Sequence, residues 1–221
     1  MGNLRIAIDG PSGAGKSTMA KLLAERLRLD YIDTGAMYRA VGLKMSREGL
    51  TMSDEDREKR IALMDSTDID FEGGKVTLDG EDVSGLIRTP EISKLASDFS
   101  SLAEVREKLV KIQRGIGERK SVVMDGRDIG TNVFQDAEVK FYLTATAEER
   151  AKRRCKELKE KGQDVSYEDT LADIRKRDHN DSHRKLNPLK KAEDAIEIDT
   201  TSMTIEEVVD EMIRVIEGRT A

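Results

Sequence analysis

GPSGAGKST, at residues 10–18, is the stretch of sequence that decides the fold, because it fits the pattern G-x-x-x-x-G-K-[ST] at every fixed position. Backbone N–H groups in such a loop point inward, and the dipole of the following helix also favours negative charge. The loop therefore suits the phosphates of a nucleotide, and its glycines leave room for them. The residues expected to bind the nucleotide are Gly10, Pro11, Ser12, Gly13, Ala14, Gly15, Lys16, Ser17 and Thr18.

Two side chains of this loop have expected roles in chemistry. Lys16 is expected to bridge the β- and γ-phosphates of the nucleotide as a catalytic group, and the Ser17 hydroxyl is expected to coordinate Mg²⁺. The alternative is a chance match to the pattern, and the short apolar strand before the loop and the apolar-periodic helix behind it argue against that alternative. The sequence thus predicts a site for a nucleoside triphosphate with Mg²⁺, but this loop alone does not specify a reaction.

Short strands alternate with helices along the rest of the chain. Strands are predicted at 4–8, 30–33, 122–125, 139–143 and 195–198, and helices at 16–29, 34–48, 105–118, 147–161, 167–177 and 205–216. This alternation indicates right-handed crossovers and a parallel sheet. Residues 69–83 break it, since Gly73-Gly74 and Asp79-Gly80 are turn signals between β-prone pieces. We expect a small antiparallel insertion there, at roughly 60–90, closed by Thr89-Pro90.

The composition excludes several classes of protein. The chain has 221 residues and a net charge of −6, from 38 basic and 44 acidic residues, which argues against broad nucleic-acid binding. It has no apolar run of the roughly 18 residues that a membrane span needs, and no pattern of a secretory signal at its start. Its one cysteine, Cys155, cannot form an internal disulfide. A cytoplasmic protein is expected.

Acidic residues, glycines and arginines follow two of the predicted strands. Asp33 and Arg39 come after the second strand, and Arg127 and Asp128 come after the third. Because ligands of open parallel sheets bind beyond the carboxyl ends of the strands, these residues are expected on the side of the phosphate loop. The planar fork of arginine binds phosphate oxygens in pairs. Arg39 and Arg127 are therefore expected to clamp the phosphate of a second substrate, the acceptor.

A third charged cluster is RKRDHNDSHR, at residues 175–184. Arg177, Asp181 and Arg184 fall at i, i+4 and i+7, on one face if the segment is helical. The alternative is an ordinary charged helix end. Two histidines of the segment are four residues apart, but the glutamate that follows the first histidine in zinc proteases is replaced by Asn180, so the pattern does not favour a metal site.

Five segments, in this order over nearly the whole chain, resemble bacterial cytidylate kinases: GPSGAGKST, DTGAMYRAV (33–41), IRTPEIS (87–93), DGRDIGT (125–131) and RKRDHNDSHR. Many ATPases share the first, but DTGAMYR and DGRDIGT together with the hairpin insertion are far more specific. The resemblance implies an enzyme of pyrimidine nucleotide metabolism that phosphorylates CMP and dCMP with ATP. The partners it implies are these small molecules, with no nucleic acid and no membrane, and a monomer is expected.

The resemblance also implies an architecture. It is a three-layer α/β P-loop fold with a five-stranded parallel core sheet, a small antiparallel β insertion in the acceptor domain and a helical lid. A single kinase domain would comprise a core at about 1–35, 100–148 and 186–221, a nucleoside-monophosphate-binding insertion at about 36–99 and a lid at about 149–185. The charged segment 148–161 is either a solvated helix with i,i+4 ion pairs or a cover whose Arg153 and Arg154 reach the ATP phosphates.

Roles for individual residues follow from the resemblance. Those expected to hold the acceptor phosphate are Arg39, Arg127 and Arg184, the last two as catalytic groups. Those expected to read the cytosine edge are Ser97, Arg106 and Asp128, and those expected at the ribose are Arg177 and Asp181, with Asp33 as a further substrate-binding residue. The chain departs from the family at Ser17, where glycine is common, and at Asn180, Ser182 and His183, so the match around Arg184 is weaker.

Two other functions fit part of the sequence. A P-loop kinase for another small acceptor, bearing a phosphate or a carboxylate, would also use paired arginines. A regulatory NTPase switch would share the loop, but the guanine-reading signature Asn-Lys-x-Asp does not occur in the sequence. A kinase is distinguished from a regulatory switch by multiple turnover that occurs only when an acceptor is present.

Overall fold

The computed structural model describes residues 3–72, 74–160 and 162–220, which divide into two compact units. The first unit is built from both ends of the chain, up to Tyr31 and from Ser121 onward, and the second is Ile32–Lys120. Gly73 of one predicted turn and Lys161 at the end of one predicted helix lie outside the described residues. The predicted division into core, insertion and lid stays a prediction.

The secondary structure follows the predicted alternation. The strands are β1 (Arg5–Asp9), β2 (Asp30–Asp33), β3 (Ile69–Glu72), β4 (Lys75–Leu78), β5 (Glu81–Asp82), β6 (Val122–Gly126), β7 (Val139–Thr144) and β8 (Ile196–Asp199). The helices are α1 (Lys16–Leu27), α2 (Thr34–Arg47), α3 (Arg57–Asp65), α4 (Pro90–Phe99), α5 (Ala103–Arg119), α6 (Ala147–Glu160), α7 (Tyr167–His183) and α8 (Ile205–Thr220).

A five-stranded sheet in the order β2-β6-β1-β7-β8 organises the first unit. β1 pairs in parallel with β6 and β7, and β7 pairs in parallel with β8. Ile6, Ile8 and Phe141 of the central strands are buried with Leu23 of α1 and Met212 of α8, as expected for parallel strands covered by helices. The predicted α/β fold with a five-stranded parallel sheet is confirmed, and the carboxyl ends of its strands share one edge.

The second unit contains the predicted antiparallel insertion. Its sheet has the order β3-β4-β5, with Ile69 opposite Leu78 in the first pair. Asp79 and Gly80 both have positive φ, 51° and 83°, as a two-residue hairpin turn requires. Elsewhere in the unit α2 packs against α4 and α5. The small antiparallel sheet is thus confirmed.

Two features of the second unit were not predicted. Thr89-Pro90 does not simply close the insertion, because it begins α4: the Thr89 hydroxyl caps the helix by accepting from the Ile92 N–H, and proline at the first helical position loses no hydrogen bond. α3 was also missed, since its sequence is mostly charged and has little apolar periodicity. In the described part of the chain, no helix combines the length and apolar character that crossing a membrane requires.

Candidate active site

The phosphate loop, residues 10–17, joins β1 to α1 in a conformation that only glycine adopts easily. Gly10 has a φ of 147°, and a Cβ at this position would overlap the carbonyl oxygen of Leu143 on β7. Gly15 has a φ of 88° and stands at the N-terminus of α1. The fixed glycines of the pattern are therefore needed both for the turn itself and for its contact with the neighbouring strand.

Lys16 is buried at the start of α1 and provides the positive charge of the loop. Its Nζ donates to the Pro11 carbonyl across the loop, at 2.7 Å. Burial lowers the pKa of Lys16 to about 7, and Arg127 acts in the same direction, while Asp125 and Asp9 oppose it. A buried ammonium group in this state is stabilised by an anion, because a nearby negative charge favours its protonated form. This property of the loop fits a phosphate ligand.

Asp125 at the end of β6 lies against the phosphate loop. Its carboxylate accepts from the Ser17 hydroxyl at 2.8 Å and from the Tyr31 hydroxyl at 2.9 Å. Hydroxyl and carboxylate oxygens are the ligands that Mg²⁺ prefers beside a bound nucleotide, so the donor set fits this ion. Sequence reasoning gave no separate role to Asp125, although an acid at the end of the neighbouring strand was a usable signal.

Asp9, the last residue of β1, anchors the turn that follows β6. It is buried, and its carboxylate accepts from the N–H groups of Ile129 and Gly130, at 2.8 and 2.7 Å. These residues begin the π-helical turn Ile129–Val133, directly behind Arg127 and Asp128. Burial raises the pKa of Asp9 to about 6, against the lowering effect of the two N–H donors. Asp9 was not predicted, because its partners are 120 residues away.

The raised pKa of Asp9 predicts a pH dependence of stability. A carboxyl with a pKa of about 6 in the folded protein and about 4 in the unfolded chain holds its proton longer when folded, so its contribution to stability falls as pH rises from 4 to 6. We expect the unfolding free energy of wild type minus that of Asp9→Asn to fall across this window and to level off above pH 7. Urea unfolding at each pH gives this difference.

The matched control is Asp136→Asn. Arg5 lowers the pKa of the exposed Asp136 carboxyl. The unfolding free energy of wild type minus that of Asp136→Asn should therefore rise with pH, and this rise should occur below pH 4. A difference for Asp9→Asn that is flat from pH 4 to 7 would contradict the assignment.

Two arginines and two aspartates form an alternating cluster that we call the acceptor quartet: Arg127, Asp128, Asp181 and Arg184. Arg127 Nε donates to Asp181 Oδ2 at 2.9 Å, and Arg184 Nη2 donates to Asp128 Oδ1 at 3.1 Å. Arg184 Nη1 lies 4.0 Å from Asp181 Oδ1. Each guanidinium group of the quartet thus has a carboxylate partner. The structure thus brings together four residues that the sequence placed in two separate clusters.

The surroundings of the acceptor quartet add two contacts that sequence reasoning missed. Asn132 donates to Asp128 Oδ2 at 3.1 Å, and Arg184 Nε donates to the carbonyl of Asn187 at 2.7 Å. Asn187 has a φ of 47°, a left-handed conformation that asparagine tolerates better than most residues. The segment is helical only to His183, and Arg184 follows in extended conformation. The placement of all three predicted residues on one helical face is therefore wrong for Arg184.

Four predicted residues belong to the second unit. Asp33 caps α2 by accepting from the Ala36 N–H, and it pairs with Arg39 at 3.0 Å. Arg106 is buried, contacts the Ser100 carbonyl at 3.3 Å and lies over the ring of Tyr38. Ser97 is exposed near the end of α4. The described contacts of these residues are within their own unit, and their predicted roles stay predictions.

The two predicted lid arginines lie on α6 and have protein partners. Arg153 donates to the hydroxyl and the carbonyl of Thr200, and Arg154 pairs with Glu157 at 2.8 Å. Glu149 and Arg153 form an i,i+4 pair, as expected of a solvated charged helix. Their contact with ATP phosphates stays a prediction. The α6 arginine that contacts the phosphate loop is Arg150, which was not predicted.

The remaining part of the third cluster contains the two histidines and Arg177. His179 and His183 stack on α7 with ring centroids 4.1 Å apart, and His183 Nδ1 is 2.9 Å from the His179 carbonyl. Among the described residues, no group of three or more His, Cys, Asp or Glu is arranged to hold a metal ion. Arg177 lies exposed on the same helix.

The fold and this site define the class of P-loop nucleotide-binding proteins. A phosphate loop follows the central strand of a parallel sheet, its lysine is buried, and a hydroxyl–carboxylate pair lies at the end of the neighbouring strand. The sequence profile of the family Cytidylate kinase matches residues 6–218. The chain belongs to the cytidylate kinase family.

Individual relatives agree with this assignment. The chain is 56% identical over 217 residues to the cytidylate kinase of Caldicellulosiruptor bescii, covering 96% of this chain and 95% of the relative. It is 55% identical over 213 residues to that of Clostridium acetobutylicum, covering 96% and 97%. Its fold is similar to the crystal structure of an uncharacterized protein from Eubacterium ventriosum, with a TM-score of 0.55, 16% identity and coverage of 98% and 99%. This last likeness shows the fold alone.

Proposed function

We propose that the protein catalyses transfer of the γ-phosphoryl group of ATP to CMP and dCMP, giving the diphosphates. The observation that carries this proposal is the position of the acceptor quartet. Asp125 contacts Ser17 of the phosphate loop, and Arg127 follows only two residues later on the same strand end. The paired arginines thus lie near the phosphate loop, within the first unit. Membership of the cytidylate kinase family supports CMP as the acceptor.

The donor side is proposed to bind ATP with Mg²⁺. The inward N–H groups of the phosphate loop and Lys16 would hold the β- and γ-phosphates. Ser17 and Asp125 would hold Mg²⁺, directly or through its water molecules. The ion, when bound, neutralises negative charge on the phosphates. Each of these residues is already oriented by a described hydrogen bond, so little rearrangement is required of them.

The acceptor side needs positioning and charge stabilisation more than acid–base chemistry. The phosphate of CMP is already an anion, so no strong general base is required, and charge in the loose transition state spreads over the moving phosphoryl oxygens. Arg127 and Arg184 would keep their bonds to Asp181 and Asp128 and use their remaining N–H groups to bind phosphate oxygens. Because both guanidinium groups are held by carboxylates, their placement is fixed before the substrate binds.

The proposed ribose role of Asp181 is compatible with its partner in the quartet. One carboxylate oxygen accepts from Arg127, and the other lies 4.0 Å from Arg184. That second oxygen could accept from a ribose hydroxyl while the first continues to orient Arg127. Arg177, four residues earlier on α7, is proposed to assist at the ribose. For Asp33, Arg39, Ser97 and Arg106 we keep the roles that the family resemblance implies.

Asp128→Ala is expected to narrow the preference for CMP over UMP. An ionised Asp128 can accept from the amino group of cytosine but would face a carbonyl oxygen in uracil, and a site built to bond one group rejects the analogue that lacks it. Since Asp128 also orients Arg184, both substrates should lose activity, but CMP should lose more. The measurement is kcat/KM for CMP and UMP in wild type and variant.

Asn132→Ala is the matched control for this ratio. It removes the second described partner of the Asp128 carboxylate, at 3.1 Å, and leaves the carboxylate in place. The CMP-to-UMP ratio should then stay within about twofold of wild type. An unchanged ratio in Asp128→Ala would assign Asp128 to the orientation of Arg184 alone.

A panel of acceptors tests the proposed function. ADP formation from Mg-ATP is measured with CMP, dCMP, UMP, AMP, GMP and a hydroxy carboxylic acid, and without an acceptor. We expect turnover with CMP and dCMP, weak turnover with UMP, and little with the others. ADP formation without an acceptor would favour a regulatory NTPase, and turnover with the hydroxy acid would favour a different P-loop kinase.

We further propose a monomer that acts in the cytoplasm, on the basis of the family and the single cysteine.

A further inference from the structure

Arg150 connects α6 to the phosphate loop. It lies in the first turn of α6 and is 5% exposed. Its Nε donates to the Ala145 carbonyl at 2.9 Å, and its Nη1 donates to the Ser12 carbonyl at 3.0 Å. A Cβ added to Gly13 would approach the Arg150 side chain to 3.2 Å. The side chain is therefore packed directly against the loop and is not part of the solvated face of α6.

Asp178 on α7 completes the coordination of this guanidinium group. Its two carboxylate oxygens accept from Nη1 and Nη2 of Arg150, at 3.0 and 2.7 Å. A bidentate pair of this kind fixes direction as well as distance. Asp178 is adjacent to Arg177 and three residues before Asp181, on the helix proposed to carry the ribose-binding residues. One buried arginine thus joins the phosphate loop to α7.

The contact with the Ser12 carbonyl has a consequence for phosphate binding. In a planar trans peptide, the carbonyl of one residue and the N–H of the next point in opposite directions. Since the Ser12 carbonyl accepts from Arg150, the Gly13 N–H points away from Arg150, and this bond fixes the orientation of the peptide. Loss of this hydrogen bond would free the peptide between Ser12 and Gly13 to rotate.

We propose that Arg150 and Asp178 form a positioning pair: Asp178 holds Arg150, and Arg150 sets the peptide between Ser12 and Gly13 for the donor phosphates and ties this loop to α7. The inference rests on the proposed function for the roles of the loop and of α7. Arg150 acts here through the loop backbone and does not touch the nucleotide. The competing possibility is that Arg150 leaves Asp178 to contact ATP directly. The two possibilities predict opposite changes in nucleotide affinity when Asp178 is replaced.

Asp178→Asn distinguishes them. If Asp178 holds Arg150 in place, the variant should bind Mg-ADP about tenfold or more weakly and lose a similar factor in kcat/KM for CMP, as for the loss of a charge-assisted bond. If Arg150 must leave Asp178 to act, the variant should bind Mg-ADP as well as wild type or better. Binding is measured by calorimetry below the unfolding transition, and the Gly13 amide resonance in the NMR spectrum should shift only in the first case.

Glu148→Gln is the matched control. Glu148 and Arg175 also join α6 to α7, at 2.6 Å, but the pair is exposed and none of its described contacts is with the phosphate loop. The variant should bind Mg-ADP within about twofold of wild type, because exposed pairs contribute little. A general loosening of the two helices would affect both variants alike, and that result would overturn the proposal.

The double variant Arg150→Met, Asp178→Leu covers the case in which Asp178→Asn fails to fold. Replacing both members of a buried ion pair by apolar residues preserves stability better than removing one. The double variant should still lose at least about tenfold in Mg-ADP binding, since the bond to Ser12 is gone. Binding within twofold of wild type would overturn the proposal. Failure of wild type to use CMP would contradict the proposed function instead, because Mg-ADP binding does not depend on the acceptor.

Discussion

Lys16→Ala is expected to lower kcat for phosphoryl transfer by about 10²–10³-fold or more, while the protein stays folded. Lys16 is buried in the phosphate loop, where its Nζ donates to the Pro11 carbonyl. Burial holds its pKa near 7, so phosphate binding should restore full protonation and place the charge against the β- and γ-phosphates. The measurement is kcat at saturating ATP and CMP, with thermal unfolding of the same sample.

Lys140→Ala is the control for Lys16→Ala. Lys140 is also a buried lysine, on β7, but its Nζ bonds to the Gln135 carbonyl and to Asp194, and neither partner belongs to the phosphate loop. Its removal should lower stability and leave kcat within a few-fold of wild type. Equal kcat in Lys16→Ala and wild type would contradict the assignment of the loop, and equal losses in both variants would point to a general effect of removing a buried lysine.

Arg127→Ala is expected to lower kcat/KM for CMP by at least about tenfold and to leave the Kd for Mg-ADP little changed. A charge-assisted hydrogen bond contributes about 1.5–3 kcal/mol, and the variant would lose the bonds that we propose between Arg127 and the acceptor phosphate. Arg127 also lowers the pKa of Lys16, so its removal should not weaken the positive charge of the donor loop. Steady-state kinetics for CMP and calorimetry for Mg-ADP give the two quantities.

Arg5→Ala provides the comparison for Arg127→Ala. Arg5 is bound by Asp136 and Glu138 at the start of β1, the opposite end of the strand from the phosphate loop. Removal of this arginine should leave both kcat/KM and the Kd for Mg-ADP unchanged. An Arg127→Ala variant that loses both quantities by the same factor would contradict an acceptor-side role for Arg127.

The phosphate loop and the parallel sheet were predictable because their signals are local. The fixed glycines are required by the backbone conformation of a loop of eight residues. Buried parallel strands are recognised as short apolar runs between helical patterns. The paired turn residues Asp79 and Gly80 likewise specify a hairpin on their own. Arg127 and Asp128 could be placed at a strand end for the same reason. Local patterns were therefore enough to predict the fold and to place these two residues at a strand end, while their role toward an acceptor stays a prediction.

The missed residues depend on contacts between distant segments. Asp9 acts on a turn about 120 residues later, and Arg150 joins a loop residue to one on α7. Nothing in a run of charged residues distinguishes Arg150, which is buried, from Arg154, which pairs on the surface. The extension of α7 to His183 was missed because the residues after Arg177 are polar and have no apolar period. These features required the tertiary structure.

The central claim is that the γ-phosphoryl group of ATP is transferred to the phosphate of CMP. It is tested most directly by incubating the protein with γ-labelled ATP, Mg²⁺ and CMP and following the label by separation of the nucleotides. We expect the label in the β-position of CDP, with one ADP formed for each CDP and no label released as inorganic phosphate above background. Label that appears as inorganic phosphate, or ADP formation that does not depend on CMP, would contradict the account.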